Sequence, residues 1–332
     1  MQQRALGKTG IMVSEIGFGS GPTAGLMIYG TSEEQAASVK LAYDLGITYF
    51  DTAPIYGDFV SEENLGRALQ SAGIRPHIAT KVALELADLA DIPGAVRRSV
   101  EDSLRRLRVD SVTSVQVHNR VGRERAPRSD LGVGALLTPP DVLGPVLRTL
   151  QELRGEGKTR AIGCCAWGGD YASTVEVLNS SAWDTVLVGY SLLNPTSGRS
   201  APRGFNQRDF GNIMATAAAH GTSAVVLKVL ESGALAGATQ PHPTSALARR
   251  PNQEFTRNVE RARALQFLVR DGQTLAQAAI RFALGDSRVA VVLVGFSAQG
   301  QVAEAAAASN GTRLTQLDLA QLEDLYASDF VL

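Results

Sequence analysis

The chain has 332 residues, of which 44% are hydrophobic, so it is long enough to bury one large core. Length alone would suit two domains, but α/β barrels of this size form one, and we expect a single domain over residues 1–332. Lysine and arginine number 32 and aspartate and glutamate 33, and this balance argues against a nucleic-acid partner because no positive excess neutralises phosphates.

Strand-like and helix-like runs alternate along the chain. The strand-like runs are short and rich in Val, Ile and Thr, as buried parallel strands are. The first ends at Gly19, and the others cover 47–51, 77–81, 111–118, 159–164, 184–190, 222–230 and 289–295. The helix-like runs between and after them cover 33–46, 61–73, 93–107, 141–157, 171–180, 210–221, 274–285 and 314–328. Several of these runs stop at a glycine that suits a left-handed helix end, namely Gly46, Gly73, Gly157 and Gly221.

This alternation predicts parallel strands joined by right-handed helical crossovers. Eight strands at a spacing of roughly 40 residues favour a (β/α)₈ barrel, and a doubly wound sheet is the alternative. In the helix predicted at 93–107, Val100, Leu104 and Leu107 share one face and should pack on the barrel.

Three segments are not needed for the repeated strand–helix unit. Residues 1–13 predict an N-terminal β-hairpin that turns at Lys8, Thr9 and Gly10. Residues 119–139 and 231–256 predict long loops, and loops of this length in a compact domain are usually functional or mobile. In a barrel both loops would rise from the C-terminal face, where substrates bind.

Polar residues of catalytic type close three of the predicted strands. Asp51, Lys81 and His118 end successive strands, and Tyr56 follows Asp51 in a loop. Ser61 is expected to cap the next helix, with Glu62 and Glu63 in its first turn. Because parallel strands end on one face of a barrel, the first four side chains can surround one pocket.

These four residue types suit the reduction of a carbonyl. Hydride delivery places charge on the carbonyl oxygen, which needs a proton, and the Tyr56 hydroxyl can donate it. A nearby Lys81 ammonium would lower the tyrosine pKa from its usual value near 10, and Asp51 would keep that ammonium charged. A neutral His118 would orient the oxygen. Each residue alone is as easily structural, but the set points to catalysis.

The segments around these residues resemble the aldo-keto reductase family over nearly the whole chain. The matching motifs are FDTAPIYG at 50–57, ATKV at 79–82, QVHN at 116–119, and an opening RALGKTGIMVSEIGFGS. The resemblance implies reversible reduction of aldehydes or ketones with NADPH, or with NADH, and no metal or flavin.

The resemblance also implies cofactor contacts. Ser297 and Gln301 fall where relatives hold the adenosine phosphate, Glu304 where they hold adenine, and Lys228 suits the pyrophosphate. The remaining expected contacts are Gly19, Ser20, Asp51, Cys165 and Gly295.

The chain departs from the family around the nicotinamide. Cys165 and Ala166 stand where relatives usually carry Ser-Asn, and Leu187 stands in place of Gln. Leu227 replaces the aromatic residue that stacks on nicotinamide, so Trp167 or Tyr190 is proposed for that contact instead.

The expected substrate contacts are Tyr56, His118 and Trp167. Arg120, Arg123 and Arg125 follow His118 and suit either an anionic or hydroxyl-rich substrate or, as we favour from the sequence, a solvated loop. The alternatives to an enzyme of this kind are a NADP(H)-binding sensor or regulatory subunit with little turnover, and an aldolase that uses Lys81 as a Schiff base.

Cysteine content and apolar segments predict location. Cys164 and Cys165 are adjacent, and strand neighbours point to opposite faces, so we expect no disulfide and a reducing compartment. No apolar stretch is long enough to span a membrane, and the opening residues lack the apolar core of a signal peptide. We therefore expect a cytoplasmic protein without membrane contact, whose oligomeric state the sequence leaves open.

Overall fold

Eight parallel strands form a closed barrel in the computed structural model of the chain, which describes residues 1–128, 133–243 and 253–330. The barrel order is β10-β3-β4-β5-β6-β7-β8-β9, so each strand pairs with its neighbour in sequence and the last closes on the first. Its strands are β3 (Ile16–Gly19), β4 (Tyr49–Asp51), β5 (His77–Val82), β6 (Val112–Val117), β7 (Thr159–Cys165), β8 (Thr185–Gly189), β9 (Ser223–Leu227) and β10 (Val289–Gly295). The (β/α)₈ barrel is confirmed, and the doubly wound sheet is excluded.

Helices cover the outside of the barrel. Among the described residues they are α1 (Leu26–Tyr29), α2 (Ser32–Asp44), α3 (Val60–Ala72), α4 (Ile92–Leu107), α5 (Pro139–Asp141), α6 (Leu147–Gly155), α7 (Tyr171–Leu178), α8 (Ile213–Ala218), α9 (Gln253–Ala264), α10 (Leu275–Leu284), α11 (Gly300–Ala307) and α12 (Gln316–Ala327). A π-helical turn joins α5 to α6 and contains Pro145, which has no N–H to donate. Val100, Leu104 and Leu107 are all buried against the barrel, as predicted. No helix among the described residues is long and apolar enough to cross a membrane.

The predicted N-terminal hairpin closes the amino end of the barrel. Strands β1 (Gln3–Ala5) and β2 (Met12–Ser14) are antiparallel. Leu6 and Val13 are fully buried and pack with interior side chains of the barrel. Arg4 fastens the hairpin by donating to the carbonyls of Leu284 and Val289 at 2.6 and 2.8 Å. The hairpin is therefore a floor beneath the barrel.

Two sequence expectations about local structure need correction. Ser61 is not a helix cap: α3 begins at Val60 after a left-handed Phe59, and the Ser61 hydroxyl instead donates to the Ser20 carbonyl at 3.0 Å. Glu62 and Glu63 do lie in the first turn. The other correction concerns the predicted loop 231–256, of which residues 244–252 lie outside the described residues.

The two ends of that segment are helical. Glu231–Ala236 contains 3₁₀ structure interrupted at Ser232 and Gly233, whose φ values are positive, and α9 already begins at Gln253. The loop 119–139, of which 129–132 are outside the described residues, leaves the carboxyl end of β6 as expected and folds back through a bridge between Val121 and Leu137.

The four glycines predicted at helix ends all have positive φ.

Candidate active site

The four predicted catalytic side chains meet at the carboxyl end of the barrel. Asp51 is the last residue of β4, Lys81 lies near the end of β5, and His118 follows β6 directly. These strands are neighbours in the barrel, and Tyr56 lies on the loop between β4 and α3. The barrel order therefore brings together residues that are far apart in sequence.

Lys81 and Asp51 form a buried ion pair at the base of this group. The Lys81 Nζ lies 2.5 Å from the Asp51 Oδ1 and donates a second hydrogen bond to the Thr52 carbonyl at 2.8 Å. Burial lowers the pKa of Lys81, but Asp51 and Tyr56 raise it more, so the net pKa is raised and the amine stays charged. Burial raises the pKa of Asp51 despite the opposing effect of Lys81.

Tyr56 lies between this ion pair and His118. The Lys81 Nζ is 4.9 Å from the centroid of the tyrosine ring, and that ring meets the His118 ring edge-on, with centroids 5.8 Å apart. Burial raises the pKa of Tyr56 more than Lys81 lowers it. The lowering effect of Lys81 is as expected, but the net direction is upward, so the hydroxyl is protonated at neutral pH.

His118 carries no charge at neutral pH. Desolvation lowers the pKa of its imidazole well below the usual value, and the Lys81 and Arg120 cations lower it further. The His118 Nδ1 is buried and has no hydrogen-bond partner among the described residues. A neutral imidazole can donate a hydrogen bond to an oxygen while leaving the proton of Tyr56 in place.

Several polar side chains lie among the apolar ones in the barrel interior beneath the ion pair, and the sequence expectations did not include them. The Thr185 hydroxyl and the Asp51 Oδ2 are buried and have no hydrogen-bond partners among the described residues, and the Gln116 amide and the Tyr49 hydroxyl are buried beside each other. Gln116 lies two residues before His118 on β6, so both positions face inward under the two-residue period of a strand. The two-residue period of the strand is therefore the feature of the sequence that predicts an inward-facing Gln116.

The predicted adenosine contacts lie at the ends of two paired strands. β10 pairs with β3, and Gly295 lies opposite Gly19. Beyond β10, the Ser297 N–H and hydroxyl and the Ala298 N–H all donate to the Gln301 Oε1, at 2.8, 3.2 and 3.3 Å. These donors precede α11, the helix that carries Glu304. An anionic oxygen would suit the same donors, because helix starts favour negative charge.

Two further groups at this end of the barrel fit a phosphate-bearing cofactor. Ser20, directly after β3, has a buried hydroxyl without a hydrogen-bond partner among the described residues. Lys228 follows β9 with a left-handed backbone, φ 66°, and places its ammonium 5.4 Å from the Trp167 ring centroid. The donors present, one hydroxyl, one ammonium and backbone N–H groups, match what phosphate and ribose oxygens accept.

The wall where the chain departs from the family is apolar. Cys165, Leu187 and Leu227 pack together in the barrel interior with Trp167 beside them. Burial raises the pKa of the Cys165 thiol. Tyr190 stacks on Phe282 of α10, with centroids 5.1 Å apart, and so packs outside the barrel. Of the two aromatic residues proposed for the nicotinamide, Trp167 is the one beside this wall.

Comparison with known proteins agrees with this geometry. The model of the aldo/keto reductase family matches residues 15–327, and the chain belongs to that family. L-galactose dehydrogenase of Arabidopsis thaliana is 26% identical over 98% of this chain and 94% of its own. The structure of glycerol dehydrogenase from Gluconobacter oxydans superposes with a TM-score of 0.74 at 24% identity, covering 98% of this chain and 95% of that one.

A second solved structure shares the fold. An aldo/keto reductase from Klebsiella pneumoniae, crystallised in complex with NADP and acetate, superposes with a TM-score of 0.68 at 20% identity. The alignment covers 98% of this chain and 96% of that one. The chain therefore shares the fold of both solved structures along nearly its whole length.

Proposed function

We propose that this protein reduces an aldehyde or ketone to an alcohol with NADPH, or oxidises the corresponding alcohol or sugar with NADP. The observation that carries the proposal is the convergence of Tyr56, Lys81, Asp51 and His118, with the Lys81 amine 4.9 Å from the Tyr56 ring and the His118 ring 5.8 Å from it. The printed names of two similar proteins, an L-galactose dehydrogenase and a glycerol dehydrogenase, support substrates with hydroxyl groups.

When bound, a reduced nicotinamide would supply a hydride for the carbonyl carbon. The Tyr56 hydroxyl donates its proton to the carbonyl oxygen, which becomes the hydroxyl of the alcohol. Lys81 stabilises the phenolate that remains, and Asp51 holds the Lys81 ammonium charged and in place. Neutral His118 donates a hydrogen bond to the carbonyl oxygen and orients it. In the oxidation, Tyr56 accepts the proton.

We assign the phosphate end of the cofactor to the β10–α11 turn. Ser297 and Gln301 would face the adenosine phosphate, Glu304 the adenine, and Lys228 the pyrophosphate. The donors of Ser297 and Ala298 that now bond Gln301 support this assignment, because they already hold one acceptor oxygen. NADP in the Klebsiella pneumoniae structure supports the choice of NADPH over NADH.

The test is the loss of NADPH absorbance with a panel of aldehydes, ketones and sugars. Tyr56→Phe removes the proton donor and is expected to lower kcat by ~10²–10⁴, the usual contribution of acid–base catalysis. The NADPH dissociation constant, read from protein fluorescence, should stay within about twofold. Tyr43→Phe, on the outer helix α2, is the matched control and should retain activity.

Two results would contradict this assignment. Wild-type protein that binds NADPH but reduces no member of the panel would remove the proposed activity. Tyr56→Phe protein with wild-type turnover would leave the activity standing but remove Tyr56 as its acid.

A further inference from the structure

The turn that follows β9 contains three left-handed residues that are not glycine. Lys228, Glu231 and Ser232 have φ values of 66°, 45° and 60°. The Glu231 N–H donates to the Lys228 carbonyl at 2.9 Å, so these two residues close one tight turn. A left-handed backbone is unfavourable for a residue with a side chain, and it persists only where the surrounding contacts hold it.

The Glu231 side chain supplies contacts of this kind. The Ser191 hydroxyl donates to the Glu231 Oε1 at 2.6 Å, and the Asn258 Nδ2 donates to the Oε2 at 3.3 Å. Ser191 is itself fixed, because it is fully buried and its hydroxyl oxygen accepts from the N–H groups of Leu193 and Asn194 at 3.2 and 3.1 Å. The carboxylate therefore joins the turn after β9 to the loop after β8 and to α9.

The same turn places the Lys228 ammonium at the mouth of the barrel. The Lys228 Nζ lies 5.4 Å from the centroid of the Trp167 ring, two residues beyond the end of β7. Burial raises the pKa of Glu231, and the Lys228 charge opposes that rise. The backbone that Glu231 anchors is thus the backbone from which the Lys228 side chain leaves.

The two donors to the Glu231 carboxylate, Ser191 and Asn258, are neutral side chains. Their hydrogen bonds hold the turn itself and leave the ammonium of Lys228 to meet another anion. The catalytic steps proposed above make no use of this carboxylate.

We propose that Glu231 is a positioning residue for cofactor binding, which anchors the turn after β9 through Ser191 so that the Lys228 ammonium faces a phosphate of NADPH. This inference rests on the assignment of Lys228 to the pyrophosphate under the proposed function. Glu231 touches neither the cofactor nor the substrate in this account and acts through Lys228.

The experiment compares two variants that both lack the charge. Glu231→Gln keeps an oxygen for the Ser191 hydroxyl, and the Asn258 Oδ1, which is buried without a hydrogen-bond partner among the described residues, can accept from the new amide. Glu231→Ala keeps neither bond. Its NADPH dissociation constant, read from protein fluorescence, should be about threefold to tenfold above that of Glu231→Gln.

A double-mutant cycle shows whether Glu231 acts through Lys228. Lys228→Met alone should raise the NADPH dissociation constant about tenfold or more, because an ionic contact to phosphate is lost. In the Lys228→Met background, Glu231→Ala and Glu231→Gln should differ by less than about twofold. Glu176→Ala, on the exposed side of α7, is the control and should leave the dissociation constant unchanged.

A further variant keeps the inference testable where Glu231→Ala does not fold. Glu231→Asp retains the charge and tolerates the left-handed backbone, but its shorter side chain withdraws the oxygen from Ser191. It should weaken NADPH binding about threefold to tenfold relative to wild type, and that effect should disappear in the Lys228→Met background.

Three outcomes would overturn the inference. Equal dissociation constants for Glu231→Gln and Glu231→Ala, even with different stability to urea, would limit the carboxylate to the fold. An unchanged difference between them in the Lys228→Met background would show that Glu231 does not act through Lys228. Wild-type binding by Lys228→Met would remove Lys228 from the phosphate and this inference with it, while turnover of the carbonyl panel would leave the proposed reaction standing.

Discussion

The Lys81–Asp51 ion pair is fully enclosed, and such pairs rarely exist for stability. Replacing a buried pair by well-packed apolar residues is often neutral or stabilising, because two charges lose their hydration. Here the amine also lies 4.9 Å from the Tyr56 ring centroid. Burial raises the pKa of Tyr56 and the Lys81 charge opposes that rise. In the proposed reaction the Lys81 charge favours the phenolate that proton donation leaves behind.

His118 makes the stability of the protein depend on pH. Its folded pKa is well below 6.5, so below about pH 6.5 the unfolded chain binds a proton that the folded chain does not. Acidification therefore costs stability. His118→Gln should remove this cost, so the wild type should lose free energy of unfolding relative to the variant by at most about 1.4 kcal/mol per pH unit between pH 6.5 and the folded pKa.

Urea unfolding of both proteins at pH 7.5, 6.5 and 5.5 measures that difference. Taking the difference between the two proteins cancels the titration of groups that do not interact with His118. A difference that stays constant from pH 7.5 to 5.5 would show that the imidazole titrates normally in the folded protein.

The sequence predicts which catalytic residue types lie at the strand ends, but it does not predict the burial and contacts that set their pKa values. Asp51, Lys81 and His118 were found because parallel strands end together at one face of a barrel. The upward pKa of Tyr56 depends on how much burial outweighs Lys81, which only the packed site decides. The position of Arg120 depends on the left-handed Gly168 of another strand end, a contact that no local pattern encodes.

At the scale of elements, helix starts follow residue chemistry unless the backbone before them is unusual. Thr31, Thr274 and Thr315 each form a reciprocal capping box with the residue three positions later. The start of α3 differs because Asp58 and Phe59 are left-handed, which moves the helix start ahead of Ser61. A pattern of Ser and Glu alone does not reveal that conformation.

The cap of α10 offers a direct test at this scale. The Thr274 hydroxyl accepts from the Gln277 N–H at 3.2 Å, and the Gln277 side chain accepts from the Thr274 N–H at the same distance. Thr274→Ala should lower the free energy of unfolding by about 1 kcal/mol, measured by urea denaturation. The control is Thr239→Ala in an exposed stretch, where Thr239 has no side-chain hydrogen bond among the described residues. Equal stability of the two variants would refute the cap.

The sequence predicts helices and strands well where hydrophobic residues recur with a clear period. It predicts them poorly where a segment is short or its composition combines features of helices and loops. All eight barrel strands fall within or overlap the predicted runs. The four-residue α1 is too short to show a helical period, and α9 was hidden because its first turn adjoins a segment rich in glycine, proline and small residues. Such elements form on surfaces that other segments supply, since α1 packs against α3 and α2, and α9 packs against Glu231–Ala236.

At the scale of the whole molecule, the hairpin floor contributes stability at the end of the barrel opposite the active site. Leu6 is fully buried there. Leu6→Ala should lower the free energy of unfolding by about 2–5 kcal/mol, through lost apolar contact and a residual cavity. Urea denaturation checks this, with Met12→Ala on the exposed side of the same hairpin expected to change it by less than about 0.5 kcal/mol.

Turnover of the Leu6→Ala protein below its unfolding midpoint should match the wild type, because the floor touches none of the four residues at the mouth. A stable Leu6→Ala protein with greatly reduced kcat would show that the two ends of the barrel are coupled.

The pairing of β3 with β10 sets a condition on synthesis. Ile16–Gly19 is the first strand of the barrel to be synthesised, whereas its partner Val289–Gly295 follows all the other barrel strands. Until then β3 lacks one neighbour, and unpaired strand edges recruit other chains. The barrel can close only after β10 has been released, so a nascent chain halted before residue 289 carries two unpaired strand edges, one on β3 and one on β9.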